Sequence, residues 1–81
     1  MRQGQYLDFE TLRAEAETAV EKSGETQRAL AAKLGRGESA LSQALRNKGA
    51  RYARLQREII ALLTDYEVAS KPTFRVARKT S

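Results

Sequence analysis

Five polar residues, Glu38, Ser39, Ser42, Gln43 and Arg46, recur at spacings of one, three and four in this 81-residue chain. Those spacings gather them on one side of a helix, with Leu41, Ala44 and Leu45 on the other. The chemistry open to such a set is hydrogen bonding to base edges. A Gln can bond adenine bidentately, a Ser can bond several bases, and an Arg reaches guanine or phosphate. A helix that enters a major groove needs this kind of face, because bulky apolar side chains could neither enter nor bond there.

The elements that must hold these residues can be read outward from them. Leu30, Ala31 and Leu34 form an apolar set in a preceding helix, and Gly35-Arg36-Gly37 between the two sets leaves room only for a tight turn. Two short amphipathic helices joined in this way make a helix-turn-helix. Thr26 suits the cap of the first of them, with Gln27 as its first helical residue and Gly35 at its end. The reading helix then spans about Glu38–Asn47, and Asn47-Lys48-Gly49 is a turn.

Further out, Asp8 can cap a helix running to about Lys22 that buries Leu12, Ala16, Ala19 and Val20 and ends at Ser23-Gly24. A fourth helix is expected over about Arg51–Asp65, with Tyr52, Leu55, Ile59, Leu62, Leu63 and Tyr66 on its buried side. Ile60 falls off that stripe, either as an isolated exposed residue or as part of a dimer contact. Ser70-Lys71-Pro72 breaks any helix. The alternation of Thr73–Ala77 suits a short strand, which needs a partner: Glu67–Ala69, Gln5–Leu7, or the same strand of a second subunit. Arg78-Lys79-Thr80-Ser81 reads as a frayed basic tail. The expected fold is mainly α: a four-helix helix-turn-helix domain over residues 1–69, then a short C-terminal strand and tail over residues 70–81.

The net charge of +5 is unevenly spread. Residues 1–25 hold three basic and six acidic residues, a balance of −3. Residues 26–81 hold twelve basic and four acidic residues, a balance of +8. Arg46, Lys48, Arg51, Arg54 and Arg57 form a run free of acids. Such a run can be an ordinary solvated surface. Its place at the end of the reading helix is where phosphate contacts would be needed, which favours nucleic acid as partner.

Several classes of chemistry lack their residues. With no Cys and no His, there are no disulfides and no thiolate or imidazole metal ligands. Ser39 and Ser42 have no His to activate them, and Asp8 and Glu10, two apart, do not face each other on a helix. Tyr6, Tyr52 and Tyr66 could stack on bases, although helix-spaced aromatics usually belong to a core. A chain of this size has little room for a substrate cavity. No enzyme, cofactor or small-molecule ligand is expected. There is no apolar run of membrane-spanning length and no signal-peptide pattern, so a cytoplasmic protein is expected.

The segment Gln27–Asn47 resembles the DNA-binding module of the lambda-repressor/Cro family. That module has a Gln opening its second helix, an Ala four positions later, a Gly at the turn and a polar pair starting the third helix. Gln27, Ala31, Gly35 and Glu38-Ser39 match these positions without a gap, and Leu30, Leu34, Leu41 and Leu45 match the core positions. The resemblance implies base reading by Ser39 and Gln43, to which the outward face of the helix adds Glu38 and Ser42. It implies phosphate contacts by Gln27, joined by Arg46, Asn47, Lys48, Arg51 and Arg54 of the basic run. Glu38 departs from the family's usual Gln. It can accept from a cytosine amino group, or it can simply stabilise the start of its helix. A second resemblance, over Asn47–Thr80, is to the N-terminal domain of Mu-type transposition ATPases, which also use this module. No Gly-rich phosphate loop accompanies it.

The expected function is sequence-specific binding of double-stranded DNA by a phage or bacterial regulator acting as a homodimer. Ile60, Leu63, Tyr66, Phe74 and Val76 offer apolar material for the dimer contact. The alternatives are a non-specific DNA-binding domain of transposition machinery and a protein-interaction module on the same fold, to which the acidic first helix would be suited.

Overall fold

The computed structural model describes residues 4–69 and 74–79. In chain order the elements are β1 (Tyr6–Leu7), α1 (Phe9–Ser23), α2 (Gln27–Leu34), α3 (Glu38–Arg46), α4 (Ala50–Leu63), β2 (Tyr66–Ala69) and β3 (Phe74–Arg78). The fold is mainly α, with four helices and a small sheet.

Local chemistry sets most helix ends. Asp8 accepts a 2.7 Å hydrogen bond from the Thr11 amide and starts α1. Thr26 does the same for α2 by accepting from the Ala29 amide at 3.1 Å. Gly35 ends α2 at φ 66°, a conformation costly for other residues, and lets the Gly35 and Arg36 amides return to the Ala32 and Ala31 carbonyls. The chain can then turn within Gly35-Arg36-Gly37 and enter α3.

The core is a single cluster. Leu12 and Ala16 of α1, Leu30 and Ala31 of α2, and Leu41, Ala44 and Leu45 of α3 meet Ala53, Leu55, Ile59 and Ile60 of α4. Ala31 is 3% exposed and belongs to this core, so a longer side chain there would have to displace its neighbours. On α1 the expected Leu12, Ala16 and Ala19 are buried, and Val20 is half-buried against the core.

The fourth helix departs from expectation. It starts one residue earlier, at Ala50, and ends at Leu63, where the Thr64 hydroxyl donates to the Ile60 carbonyl and accepts from the Tyr66 amide. Tyr66 therefore begins a strand rather than ending a helix. Ile60 is fully buried and Leu62 is 45% exposed, the reverse of the expected stripe. The reason lies in the tertiary contacts: α4 packs against α1, α3 and also β2, so its buried arc is displaced toward Gln56 and Ile60.

The sheet has the order β1-β3-β2, antiparallel throughout. The strand expected over Thr73–Ala77 runs over Phe74–Arg78; Thr73 and the Ser70-Lys71-Pro72 break lie outside the described residues. It pairs Leu7 with Phe74 on one side and Val68 with Val76 on the other. Both partners considered within the chain are used at once. The backbone of Val76 is taken up on the β1 side by Gly4 and Gln5. Arg78 belongs to β3, and Lys79 ties to the end of α4, with its ammonium donating to the Ala61 and Thr64 carbonyls. That part of the expected tail is not frayed; Thr80 and Ser81 lie outside the described residues.

Candidate nucleic-acid interface

The outward side of α3 carries Glu38, Ser39, Gln43 and Arg46, all exposed, with Ser42 half-buried beside them. Leu41, Ala44 and Leu45 face inward. A helix with its side chains is about 10–12 Å across, which matches the roughly 12 Å width of a major groove, and the nine residues of α3 give it a length of roughly 14 Å.

The C-terminal end of this helix is held by side chains from two other helices. The last carbonyls of a helix have no partner within it. Here the Asn47 amide and side-chain Nδ2 both donate to the Gln43 carbonyl. From α4, Gln56 Nε2 donates to the Ala44 carbonyl at 2.7 Å and the Asn47 carbonyl at 2.8 Å. From α1, Arg13 Nη1 donates to the Leu45 carbonyl at 2.9 Å. Two other helices thus hold the C-terminal end of α3. Gln56 is fully buried, and its Oε1 has no hydrogen-bond partner. Both acceptors of Nε2 are carbonyls, so the amide orientation is decided by chemistry.

Arg13 is itself oriented by Glu10, at 2.7 and 3.1 Å, and by Glu17 at 3.6 Å. The hydrogen bond to Glu10 is the main cause holding the Arg13 guanidinium above its ordinary value, and the same bond holds the Glu10 carboxyl below the usual range. The Asp8 carboxyl is held low first by the Thr11 amide. At the other end of α3, Arg36 Nη2 donates to both carboxylate oxygens of Glu58 on α4, at 3.1 and 2.7 Å. That pair ties the turn to the helix behind it.

The residues of the expected phosphate set separate into different surroundings. Gln27 and Arg46 are exposed at the start of α2 and the end of α3. Asn47 uses its amide donor to cap α3. Lys48 lies with Asp8, Phe9, Glu10 and Gly49 around one cleft, and its charge helps hold both carboxyls low. Arg51 and Arg54 line a different cleft between α3 and α4 together with Arg36 and Gln43.

The dimer set is corrected in part. Ile60 and Val76 are fully buried in the core of the single chain, while Leu63, Tyr66 and Phe74 are half-buried against it. Phe74 also makes an edge-to-face contact with Phe9 at 5.2 Å. Pairing through β3 is closed, because β3 is the central strand. The large apolar side chains left exposed among the described residues are Tyr6, Phe9 and Leu62. Tyr6 carries the Arg75 guanidinium 5.9 Å from its ring.

Gln56, Arg13 and the Arg36–Glu58 pair were not among the expected site residues. A signal for Gln56 exists: it lies three residues after Ala53 and four before Ile60, a polar residue within an apolar arc. Nothing local relates Arg36 to Glu58 across 22 positions.

Compared with protein-family models, curated proteins and solved structures, the chain has no match. No helix among the described residues is long and apolar enough to cross a membrane.

Proposed function

We propose that this protein binds double-stranded DNA by placing α3 in the major groove, with Ser39, Ser42 and Gln43 reading bases and Glu38 selecting among them. The observation that carries the reading is the contrast within α3. One side is polar and turned to solvent, while its end is fastened by Arg13 of α1, by Gln56 of α4 and by Asn47. Base readout depends on fixed donor and acceptor positions, and a helix held by its neighbours supplies them without paying ordering entropy on binding. The arginines beside α3 support the same reading, since phosphate contacts set register and orientation.

The role proposed is that of a regulator like those of the lambda-repressor/Cro family, which the Gln27–Asn47 segment resembles. Two chains would set two α3 helices about 34 Å apart on one DNA face. Their contact would use surface other than β3.

Selection from a random duplex library, with binding at low salt, tests the proposal. A recovered consensus with two-fold symmetry supports the regulator. Binding without a consensus supports the non-specific transposition-type domain. Absence of binding at low salt would leave the protein-interaction reading.

A further inference from the structure

The geometry points to the cleft between α3 and α4 as the seat of one backbone phosphodiester, held jointly by Arg36, Arg51 and Arg54. This rests on the reading of α3 as a DNA-reading helix, and adds to it a fixed point on the DNA backbone.

Among the described residues, the surface clefts differ in charge. The one holding Arg54 and Arg57 also holds Glu58 and Glu67. The one holding Lys48 has Asp8 and Glu10 around it. The one holding Lys22 has Glu15. The cleft between α3 and α4, of about 290 Å³, is lined by Arg36, Arg51 and Arg54 and by no Asp or Glu; Arg54 also borders the neighbouring cleft of Glu58 and Glu67. Of these four clefts it alone has an unbalanced positive lining, and Gln43 of the reading face is on its rim.

Each of the three arginines is placed beside the cleft in a different way. Arg36 comes from the turn before α3. Its two bonds to Glu58 both leave from Nη2, which fixes the guanidinium while Nη1 and Nε take no part in that pair. Arg51 lies 5.8 Å from the ring of Tyr52, which is itself packed against the core. Arg54 is exposed three residues further along α4, on the same side as Arg51. Glu58 offsets one of the three charges, so a singly charged phosphodiester meets a modest excess of positive charge. Its two non-bridging oxygens suit the forked donors of guanidinium. The seat adjoins Gln43, so the phosphate it takes would belong to a nucleotide beside the base that Gln43 reads. The basic run is thereby divided: Lys48 lies near Asp8 and Glu10, and Arg57 lies in the cleft with Glu58 and Glu67, which Arg54 borders from its other side.

The test is the salt dependence of duplex binding by the full chain. Because Glu58 already offsets Arg36, the seat's net positive charge rests on Arg51 and Arg54, so Arg51→Gln with Arg54→Gln loses the one phosphate and lowers the slope of log K against log salt by about 0.9. Lys48→Gln should leave the slope unchanged. An unchanged slope in the double variant, a fall of about 1.8 as for two separate phosphates, or an equal fall in Lys48→Gln would each overturn the seat. A second arm titrates inorganic phosphate and follows the Gln43 side-chain amide by NMR. A shift that the double variant loses, in a chain that binds duplex with the expected slope, supports the shared oxyanion chemistry. The same shift in a chain that binds no duplex at low salt overturns both the DNA source and the reading of α3, leaving a seat for a free anion. Duplex binding with no effect of the double variant removes the seat and leaves the reading of α3 standing.

Discussion

Removing the donors of Gln56 should cost this protein a large part of its stability. Gln56→Met keeps an unbranched side chain of similar length but cannot donate to the Ala44 and Asn47 carbonyls, now bonded at 2.7 and 2.8 Å. Each net hydrogen bond is worth about 1 kcal/mol, and a buried carbonyl left without a partner costs about 1–3 kcal/mol. Against this, the substitution also removes the buried, unpartnered Oε1, which recovers about 1 kcal/mol. With two carbonyls affected, the balance is a loss of about 1–5 kcal/mol, against a total of about 5–15 kcal/mol for a domain. Gln56→Glu sharpens the test. At neutral pH the introduced carboxylate faces two carbonyl oxygens in a buried site, so its folded pKa is raised above the unfolded value. The folded state then binds more protons than the unfolded one, and stability rises as pH falls. Urea titrations followed by circular dichroism at pH 7 and pH 5 measure both effects. A Gln56→Met midpoint equal to that of the wild type, together with a Gln56→Glu loss that does not shrink at lower pH, would refute the clamp.

Other substitutions probe the remaining parts of the account. Ala31→Leu should overpack the α2–α3 contact at a cost of about 1–3 kcal/mol, read as a lowered melting midpoint; an unchanged midpoint would mean that the contact has spare room. Glu38→Gln should alter base preference at one position per half-site with little change in stability, since Glu38 is exposed at the start of α3; identical selected consensus sequences would reduce Glu38 to a helix-end charge. Asp8→Ala should lower the melting midpoint at neutral pH, and the difference from wild type should close as pH falls through and below the ordinary Asp value of about 3.9. The sign comes from the depressed folded pKa of Asp8, whose stabilisation is present above the unfolded value and lost as the folded carboxyl protonates. A difference that persisted at the lowest pH would show that the Thr11 cap is not its source.

The parts of the fold that depend on near neighbours were legible in the chain. Asp8, Thr26 and Gly35 set helix ends through bonds three to five residues away, and Ala31 and Leu41 lie where their spacing puts them. The parts that depend on distant segments were not. Ile60 and Leu62 exchange places because β2 covers a side of α4 that helix periodicity alone leaves open. Phe74–Arg78 takes two partners because the segment around Gly4–Leu7, at the opposite end of the chain, returns to its free side. The polar face of α3 was readable from spacing. Its clamp was not, because the Arg13–Leu45 and Gln56–Ala44 bonds join separate helices. The basic run looked uniform along the chain, yet folding carries Lys48 toward Asp8 and Glu10 and sets Arg51 and Arg54 around one cleft with Gln43.

The central claim is that the polar side of α3 reads DNA sequence, and competition binding tests it most directly. The full chain is titrated with its best selected duplex and with a scrambled duplex at about 0.15 M salt, as wild type and as Gln43→Ala. The account predicts a preference of roughly 10³ or more for the selected duplex. In Gln43→Ala that preference should fall by about 1–3 kcal/mol, while affinity for the scrambled duplex stays the same. Equal affinity of the wild type for both duplexes, or a Gln43→Ala protein with the full preference intact, would contradict it.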